Sequence, residues 1–371
     1  MPPCTFAAAN ARKTEGTEMT AKTELTARAL RETLERTAAY TMKPAPEHER
    51  LMDTWQWGQG VALYGLVKAH EALGDPTIPA YVEQWLDSRL ERGGIGKSIN
   101  TTAPLLAALN WMRLTGGDKY DEICGAFADW CLAEAPRSVE GAFEHSCTEN
   151  VYPNEIWADT LFMGCLFLAQ WGKYTGSGRY VKESARQFLL HYKYLSDPAT
   201  GLIHHGYYGS EGARKGVLWG RGNGWFAAAS AEVLADFAGL PEYEAVLDHF
   251  ARHAQGAAAT QNEEGAWHTV MNDTGTYAEM SATAAFAFAY HEGSRKGYLP
   301  SGYRSRAHSA VRALLANVAD NGRIDRGSDG TCVMPGAADY NAIPYRYSVF
   351  TQGLGLMALS SEYALAKDAG L

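Results

Sequence analysis

Four clusters of aromatic and polar residues stand out in a chain otherwise dominated by small and apolar side chains. They lie in the segments DTWQWGQGVALYGL, HSCTENVYPNEIWADTLFM, GLIHHGYYGSEGARKGVLWGRGNGWFAAA and GAWHTVMNDTGTYAEMSATAAF. Tryptophan faces stack on the apolar faces of pyranose rings, while Arg, Asn and His bind hydroxyls and carboxylates. The clusters therefore predict a carbohydrate site. The same tryptophans could instead pack in the core, where this residue type is usually buried.

Asp159 lies in the segment IWADTLFMGCLFLAQW, at the predicted first turn of a strongly apolar helix. One interpretation is structural, because a carboxylate at a helix N-terminus is stabilised by the helix dipole. The other is catalytic, because partial desolvation among apolar neighbours would raise its pKa toward that of a general acid. The residues alone leave both interpretations open.

The elements that must position these clusters are helices. Apolar residues recur at three- and four-residue spacing in roughly twelve stretches, and strand-like alternation is nearly absent. The pattern predicts helices over residues 24–43, 53–73, 77–91, 101–115, 118–134, 154–175, 177–195, 223–238, 241–259, 277–294, 301–318 and 347–367.

A repeat near 60 residues supports the pairing of these helices. Turns of the Gly-x-x-Tyr type recur at Tyr120, Tyr180, Tyr243 and Tyr303, with spacings of 60, 63 and 60 residues. A helix pair with two loops fills such a unit, and about six units fit the chain as a ring. Longer connections are expected to gather at one mouth of this all-α ring. They cover residues 93–100, 136–153, 196–222, 260–276 and 319–346.

Composition excludes several classes of protein. The net charge is −9 with both signs interspersed, so no nucleic-acid partner is predicted. No apolar run approaches the ~18 residues of a membrane span. The six cysteines form no CxxC pair, and no ligand spacing such as HExxH occurs, so neither a disulfide scaffold nor a metal site is predicted. No cofactor is predicted either, since no glycine motif follows a strand.

The N-terminal residues 1–22 lack the apolar segment of a secretory signal, which favours a cytoplasmic protein. We predict an extension over residues 1–22, with Met19 as an alternative start to Met1, and a single catalytic domain over 23–371. Cys124, Cys131 and Cys165 are expected in the core.

At the clusters, the chain resembles a known family. The motifs WADTLFM, GLIHHGY, WGRGNGW and EMSATAAF, in this order within residues 50–290, resemble the unsaturated rhamnogalacturonyl hydrolases of glycoside hydrolase family 105. These enzymes are relatives of the unsaturated glucuronyl hydrolases. The resemblance implies an (α/α)6 barrel, in agreement with the helix count. It also implies an oligosaccharide substrate, usually a disaccharide, that ends in a 4,5-unsaturated uronate left by a polysaccharide lyase.

The resemblance implies vinyl-ether hydration, in which an aspartic acid protonates the double bond and water adds at the neighbouring carbon. The resulting hemiketal opens and releases the aglycone. Asp159 stands at the position of that acid, and His205 stands at a family histidine. Arg221 is the natural bidentate partner of the uronate carboxylate. The predicted substrate-binding residues are Trp57, Lys97, His145, Trp219, Arg221, Asn223 and Trp225.

Three departures from the family pattern modify these expectations. The segment GKSIN places Lys97 where an assisting acidic residue is common. Trp57 stands where a tyrosine is usual, and the segment from His145 to Asp159 is a few residues longer. Lys97 would attract an additional acidic or sulfated group, or would be solvated at the rim of the site.

Two other functions stay open on these residues. One is an ordinary glycosidase or a sugar epimerase on the same ring, with His205 and His268 as acid and base. The other is a sugar-binding or regulatory protein, consistent with Lys97. Loss of the ultraviolet absorbance of the conjugated enol-carboxylate distinguishes a hydrolase from a binding protein, and a saturated analogue tests for hydration chemistry. The uronate epimer, the aglycone and the oligomeric state are not determined by the sequence.

Overall fold

The computed structural model of the protein describes residues 25–43, 51–148 and 152–370. In chain order, its helices are α1 (Ala27–Thr41), α2 (Trp57–Leu73), α3 (Thr77–Arg92), α4 (Ile99–Thr115), α5 (Asp121–Ala133), α6 (Leu166–Thr175), α7 (Gly178–Leu195), α8 (Gly220–Phe237), α9 (Tyr243–Ala259), α10 (Met280–Arg295), α11 (Tyr303–Leu315), the short α12 (Ala337–Asn341) and α13 (Val349–Ala369). Helices α2, α4, α6, α8, α10 and α13 form an inner ring that α13 closes against α2. The other long helices form the outer layer, which confirms the predicted (α/α)6 barrel.

The two layers differ in the pattern of their buried residues. On the outer helix α1 one face is buried, at Leu30, Thr33, Leu34, Thr37, Ala38 and Thr41. This spacing is typical of a helix that covers a core on one side. On the inner helix α2 every residue over 58–67 is buried, because an inner helix has neighbours on all sides. The hydrophobic core therefore lies between the layers and within the ring.

The backbones of α2 and α13 approach closely where the ring closes. A Cβ on Gly65 would lie 2.3 Å from the Gly353 carbonyl oxygen, and a Cβ on Gly353 would lie 2.3 Å from the Val61 carbonyl oxygen. Glycine is required at both positions because any side chain would overlap the facing backbone.

Connections at the two ends of the ring differ in length. Inner helices lead into outer helices through short turns, over residues 74–76, 116–120, 176–177, 238–242 and 296–302. Tyr243 and Tyr303 begin outer helices directly after such turns, which confirms the repeat. Outer helices lead back to inner helices at the opposite end, as predicted, and most of these connections are longer, for example residues 196–219, 260–279 and 316–348. That end is called the mouth.

A small antiparallel sheet lies at the mouth, with strands β1 (Glu155–Trp157), β2 (Gly206–Tyr208) and β3 (Ala213–Lys215) in that order. The helix predicted over 154–175 is therefore wrong at its start. A π-helical turn (Leu161–Cys165) precedes α6 instead. The sequence hides these strands because three-residue strands leave too short a window for alternation. Helix α8 begins at Gly220, three residues before the predicted start at 223. The sequence did not indicate this first turn because it is rich in glycine.

Among the described residues, no helix combines the length and apolarity needed to cross a membrane. Cys124, Cys131 and Cys165 are buried, which confirms their predicted place in the core. The predicted extension over 1–22, with Met1 and Met19, lies outside the described residues.

Candidate active site

The inner helices all start at the mouth, so their first turns carry several predicted site residues. Trp57 begins α2, Asp159 precedes the π turn that leads into α6, and Arg221 lies in the first turn of α8. The positive ends of the helix dipoles point toward the same space, which favours an anionic ligand. Ring and charge contacts, two of which run through Trp157 and Phe350, connect a set of residues here that we call the candidate cleft: Trp57, His145, Asp159, His205, Trp219, Arg221 and Trp225.

The small sheet sets Asp159 against His205. In its register Trp157 of β1 faces Gly206 of β2, and the Ala158 amide donates to the His205 carbonyl at 3.0 Å. As a result, Asp159 Oδ2 and His205 Nε2 lie 3.4 Å apart. His205 is fully buried, whereas Asp159 is 9% exposed. Asp159 is therefore the member of this pair that a ligand in the cleft can reach.

The π turn follows Asp159 directly. The Asp159 carbonyl accepts hydrogen bonds from the Phe162 amide at 3.1 Å and the Met163 amide at 3.0 Å. Such turns occur often at functional sites, where they interrupt the regular helical spacing of side chains. Nothing in the motif WADTLFM signals this turn.

The electrostatic environment of Asp159 differs from the one predicted. Burial raises the pKa of this carboxyl, but the contact with His205 and the charges of His205, His145 and Arg221 outweigh burial, so the pKa lies below its usual 3.8. The expectation of a raised pKa in the free protein is wrong, because the neighbours in space are not the apolar neighbours in the chain. Asp159 is therefore ionised at neutral pH until another negative charge approaches.

Both histidines of the candidate cleft are neutral at neutral pH. Burial lowers the pKa of His145 to about 4, and it also lowers the pKa of His205. His145 stacks on Trp157 with ring centroids 4.6 Å apart, and its Nδ1 lies 3.0 Å from the Thr160 hydroxyl. These contacts fix the orientation of the His145 ring.

Arg221 is anchored by the segment before α13. Its Nη1 donates to the Ser328 hydroxyl at 2.7 Å, and its Nη2 donates to the Asp329 carbonyl at 2.8 Å. Nη1 also lies 3.8 Å from the Glu279 carboxylate, and the guanidinium is 4.5 Å from the centre of the Trp219 ring. The predicted two-pronged grip on a substrate would have to replace the contacts to Ser328 and Asp329.

The tryptophans of the candidate cleft pack against other rings of the set. Trp219 lies against His205 with ring centroids 4.1 Å apart, and Trp57 meets Trp225 edge-on at 6.3 Å. Trp57 is partly exposed, whereas Trp219 and Trp225 are buried. Nearly all of the surface of Trp219 and Trp225 is therefore packed against other residues of the protein.

Five buried polar atoms of the candidate cleft lack a hydrogen-bond partner among the described residues: Asp159 Oδ2, His205 Nε2, Trp219 Nε1, Arg221 Nε and Trp225 Nε1. The 3.4 Å contact within the first pair is too long for a hydrogen bond. Such atoms also occur elsewhere among the described residues, but each unpaired buried group costs about 1–3 kcal/mol, so several within one set of contacting side chains favour a polar ligand there. The two indoles and Arg221 contribute N–H donors, so the set suits an oxygen-rich anion.

Lys97 lies away from the candidate cleft. Its Nζ donates to the Ala126 carbonyl of α5 at 3.0 Å, and the residue is exposed. Ser98 caps α4, so the preceding residue falls outside the inner ring. This placement favours the alternative that Lys97 is solvated at the rim of the site, and its contact with substrate stays a prediction.

The hydrogen bonds of Asn223 lie within the protein. Its amide nitrogen donates to the carbonyls of Ile203 and Trp219, and its oxygen accepts from the Ile203 amide, each at 2.8 Å. His253 Nε2 lies 3.0 Å from the same oxygen. With its amide engaged in this way, Asn223 holds the segment before β2 in place, and a contact with substrate would have to replace these hydrogen bonds.

Three contributors from the segment 319–346 were not predicted. Ser328 and Asp329 hold Arg221, and the Tyr340 hydroxyl lies 2.6 Å from His205 Nδ1. The separation in sequence between Tyr340 and His205 is 135 residues, and the family motifs end before this segment, so no local signal marked it.

A second titratable cluster lies outside the candidate cleft. His291 of α10, His308 of α11 and Glu362 of α13 place one ligand-type atom each within 4.8 Å of one another, although the sequence predicted no metal site. Both imidazoles contact the Glu362 carboxylate directly. Burial raises the pKa of Glu362, but these contacts lower it to about 2. The positive charges of Arg312 and Arg304 act on His308 as well, so the cluster is best described as an ion-pair network between three helices.

Comparison with known proteins identifies the family. Residues 33–366 match the profile of Glycosyl Hydrolase Family 88. The chain is 33% identical over 311 residues to the unsaturated rhamnogalacturonyl hydrolase YesR of Bacillus subtilis, which covers 82% of this chain and 89% of that protein. It is 29% identical over 177 residues to an unsaturated 3S-rhamnoglycuronyl hydrolase of Alteromonas, over 46% of this chain and 43% of that protein.

Solved structures have the same fold. A possible member of family GH105 from Salmonella enterica has a TM-score of 0.87 at 25% identity, over 95% of this chain and 97% of that one. Another, from Klebsiella pneumoniae, has a TM-score of 0.86 at 26% identity, over 96% and 100%. The profile match spans both the inner ring and the motifs at its mouth, so the chain belongs to glycosyl hydrolase family 88.

Proposed function

We propose that the protein removes a 4,5-unsaturated uronate from the non-reducing end of lyase-derived oligosaccharides by hydrating its vinyl ether. The observation that carries this proposal is the set of unpartnered buried polar atoms around Asp159 and His205. A uronate offers a carboxylate and hydroxyl oxygens to the N–H groups of Trp219, Arg221 and Trp225. The activities named for the relatives from Bacillus and Alteromonas support the same reaction.

Asp159 is the proposed proton donor, and the substrate supplies the condition for this role. In the free protein the pKa of Asp159 lies below its usual value. A uronate carboxylate bound nearby adds a like charge and excludes water, and both changes raise the pKa of the carboxyl. The acid therefore forms in the complex and not in the free protein.

The reaction uses one carboxyl group in two protonation states. Asp159 gives its proton to C4 of the double bond while positive charge develops at C5, beside the ring oxygen. The resulting carboxylate takes a proton from the water that adds at C5, which forms a hemiketal. Opening of the hemiketal gives a ketone at C5 and a hemiacetal at C1, and the hemiacetal releases the aglycone as an alcohol.

The other carboxylates near Arg221 are already engaged. Glu279 is buried and accepts from the Ser281 hydroxyl at 2.8 Å and from the Ser328 amide at 2.8 Å. The Asp329 carboxylate pairs with Arg346 at 3.0 Å. A glycosidase of the usual kind needs two carboxyl groups flanking the anomeric carbon. Because both of these carboxylates already have partners, Asp159 is the carboxyl group left for acid–base work, which favours hydration of a double bond.

The proposed substrate is a disaccharide, as the family resemblance implies. The proposed location is the cytoplasm.

The proposal is tested with Asp159→Asn. This variant is expected to fold normally and to lose at least ~100-fold in turnover, the usual scale of acid–base catalysis. Turnover is measured as loss of the ultraviolet absorbance of an unsaturated disaccharide. Glu263→Gln is the matched control, since Glu263 is an exposed carboxylate on a mouth segment.

Two results would contradict the proposal. Near wild-type turnover by Asp159→Asn would remove Asp159 from the mechanism. Release of aglycone from a saturated analogue at a comparable rate would exclude hydration, because that analogue has no double bond to protonate.

A further inference from the structure

Tyr340 connects α12 to the pair formed by His205 and Asp159. It is fully buried, and its hydroxyl oxygen lies 2.6 Å from His205 Nδ1. The Met334 amide donates to the same oxygen at 3.1 Å. On the opposite side of the His205 ring, Nε2 faces Asp159 Oδ2 at 3.4 Å. The imidazole is thus held between a hydroxyl and a carboxylate.

Gly216 leaves the space that this contact needs. A Cβ at this position would lie 2.6 Å from the Tyr340 hydroxyl oxygen and 3.1 Å from His205 Cβ. Its φ of +70° also lies in the left-handed region, which favours glycine. The backbone around the contact is therefore shaped to bring the hydroxyl to the ring.

The hydrogen bonds of Tyr340 determine where the proton of neutral His205 resides. Because the Met334 amide already donates to the hydroxyl oxygen, the hydroxyl's own proton needs an acceptor, and His205 Nδ1 is the one at hydrogen-bonding distance. If Nδ1 carried the imidazole proton, the buried hydroxyl proton would be left unpaired, at a cost of about 1–3 kcal/mol. Nδ1 is therefore the acceptor, and the ring proton lies on Nε2.

We propose that Tyr340 is a positioning residue that holds His205 in the Nε2–H tautomer, so that an N–H group faces Asp159. An N–H group beside Oδ2 favours the carboxylate in the free protein. It also directs the catalytic proton to Oδ1, since a proton on Oδ2 would face another proton. The catalytic consequence rests on the proposed role of Asp159, whereas the tautomer is a property of the protein alone.

Removal of the hydroxyl should release this constraint. In Tyr340→Phe the ring proton can move to Nδ1, and the bare Nε2 then accepts the proton of Asp159 that the substrate requires. We expect kcat to fall about 10- to 100-fold, within the range of acid–base effects. KM is expected to change less than kcat, because Tyr340 is fully buried and lies on the side of the His205 ring away from Asp159.

The decisive measurement is the nitrogen-15 spectrum of the ring nitrogens of labelled histidine at neutral pH, where His205 is uncharged. Its signals are assigned by their loss in His205→Gln. The wild type is expected to show the Nε2–H tautomer, and Tyr340→Phe a mixture of both tautomers. Tyr290→Phe is the matched control, because it removes a buried hydroxyl that donates to the Ala254 carbonyl at 3.0 Å.

The outcomes separate this inference from the proposed function. An Nδ1–H tautomer in the wild type, or an unchanged tautomer in Tyr340→Phe, overturns the inference whatever the activity. The wild-type spectrum alone shows which tautomer His205 adopts, even if Tyr340→Phe does not fold. Equal loss of kcat in Tyr340→Phe and Tyr290→Phe would reduce Tyr340 to a packing role. Lack of turnover by the wild type on unsaturated substrates would instead refute the proposed function and leave the tautomer result intact.

Discussion

Asp159 changes its protonation state between the free protein and the complex in the proposed mechanism. The free carboxyl has a lowered pKa because His205, His145 and Arg221 outweigh its burial. A bound uronate reverses that balance. Substrate binding and proton uptake are therefore linked at this one residue.

This linkage predicts different pH profiles for kcat/KM and kcat. The value of kcat/KM depends on the protonation state of the free protein. It should therefore fall about tenfold per pH unit above the pKa that Asp159 has in the free protein. By contrast, kcat reports the complex and should stay level to a higher pH. Initial rates across the pH range measure both. A parallel decline of the two quantities from the same pH would show that the substrate does not raise the pKa.

Arg221 gives a second prediction for a single residue. Arg221→Lys keeps the charge but loses the planar group that reaches Ser328 and Asp329. We expect kcat/KM to fall about 30- to 100-fold, equivalent to losing roughly 2–3 kcal/mol of charged hydrogen bonding. Arg252→Lys, at an exposed arginine of α9, is the control. Matching kinetics in both variants would mean that the guanidinium does not shape the site.

Among the elements, the inner helices were predictable and the mouth was less so. The apolar residues of WADTLFM and the segment after it predict a helix, and α6 is one. The start differs because Trp157 pairs with Gly206, a contact between distant segments that outweighs local preference. Arg221 lies in a helix that the glycines of WGRGNGW had obscured. The local pattern therefore located the segments of the candidate cleft but not the conformation of their backbone.

The crossing of α2 and α13 gives a prediction about stability. In Gly65→Ala the new methyl group would meet the Gly353 carbonyl oxygen at 2.3 Å, so the helices must move apart. We expect a loss of about 1–3 kcal/mol in the free energy of unfolding, the usual cost of overpacking. Gly178→Ala, on α7, is the control because nothing lies within 4 Å of the position that its methyl group would take. Denaturant titrations measure both, and equal midpoints for the two variants would contradict the close crossing.

At the scale of the whole molecule, the ring depends on contacts between residues far apart in the chain. Glu362 of α13 joins His291 and His308 across α10 and α11. Tyr340 reaches His205 in the same way. The repeat predicted the number of hairpins, but no repeat predicts which side chains meet between them, because these contacts arise only when the ring has closed.

Glu362→Gln is expected to lower the free energy of unfolding by about 2 kcal/mol near pH 6, because it removes the partner of two imidazoles. The hydrogen bond to Glu362 raises the pKa of His308 above 6.5. The stability that His308 contributes is therefore present in full below pH 6.5, its pKa in the unfolded chain. It is lost as the pH rises through the higher pKa of His308 in the folded protein. The pKa of Glu362 is lowered from 4.5 to about 2 in the folded protein. The stability that its carboxylate contributes is therefore present in full above pH 4.5 and is lost as the pH falls toward 2.

This prediction is tested by denaturant unfolding of the wild type and of Glu362→Gln, each near pH 6 and near pH 9. The difference between the two proteins should be larger near pH 6. Glu263→Gln, an exposed carboxylate, should match the wild type at both values. A difference that does not depend on pH would show that His308 contributes no charge to the network.

The unequal lengths of the connections bear on how such a barrel can diverge. A residue inserted into a two-residue turn such as 176–177 shifts two packed helices at once. By contrast, doubling the length of a loop at the other end adds only about 0.6 kcal/mol of closure entropy. Insertions therefore cost less around the opening than at the short turns. The greater length predicted for the segment between His145 and Asp159 would be a change of this kind, which alters the opening while the frame stays the same.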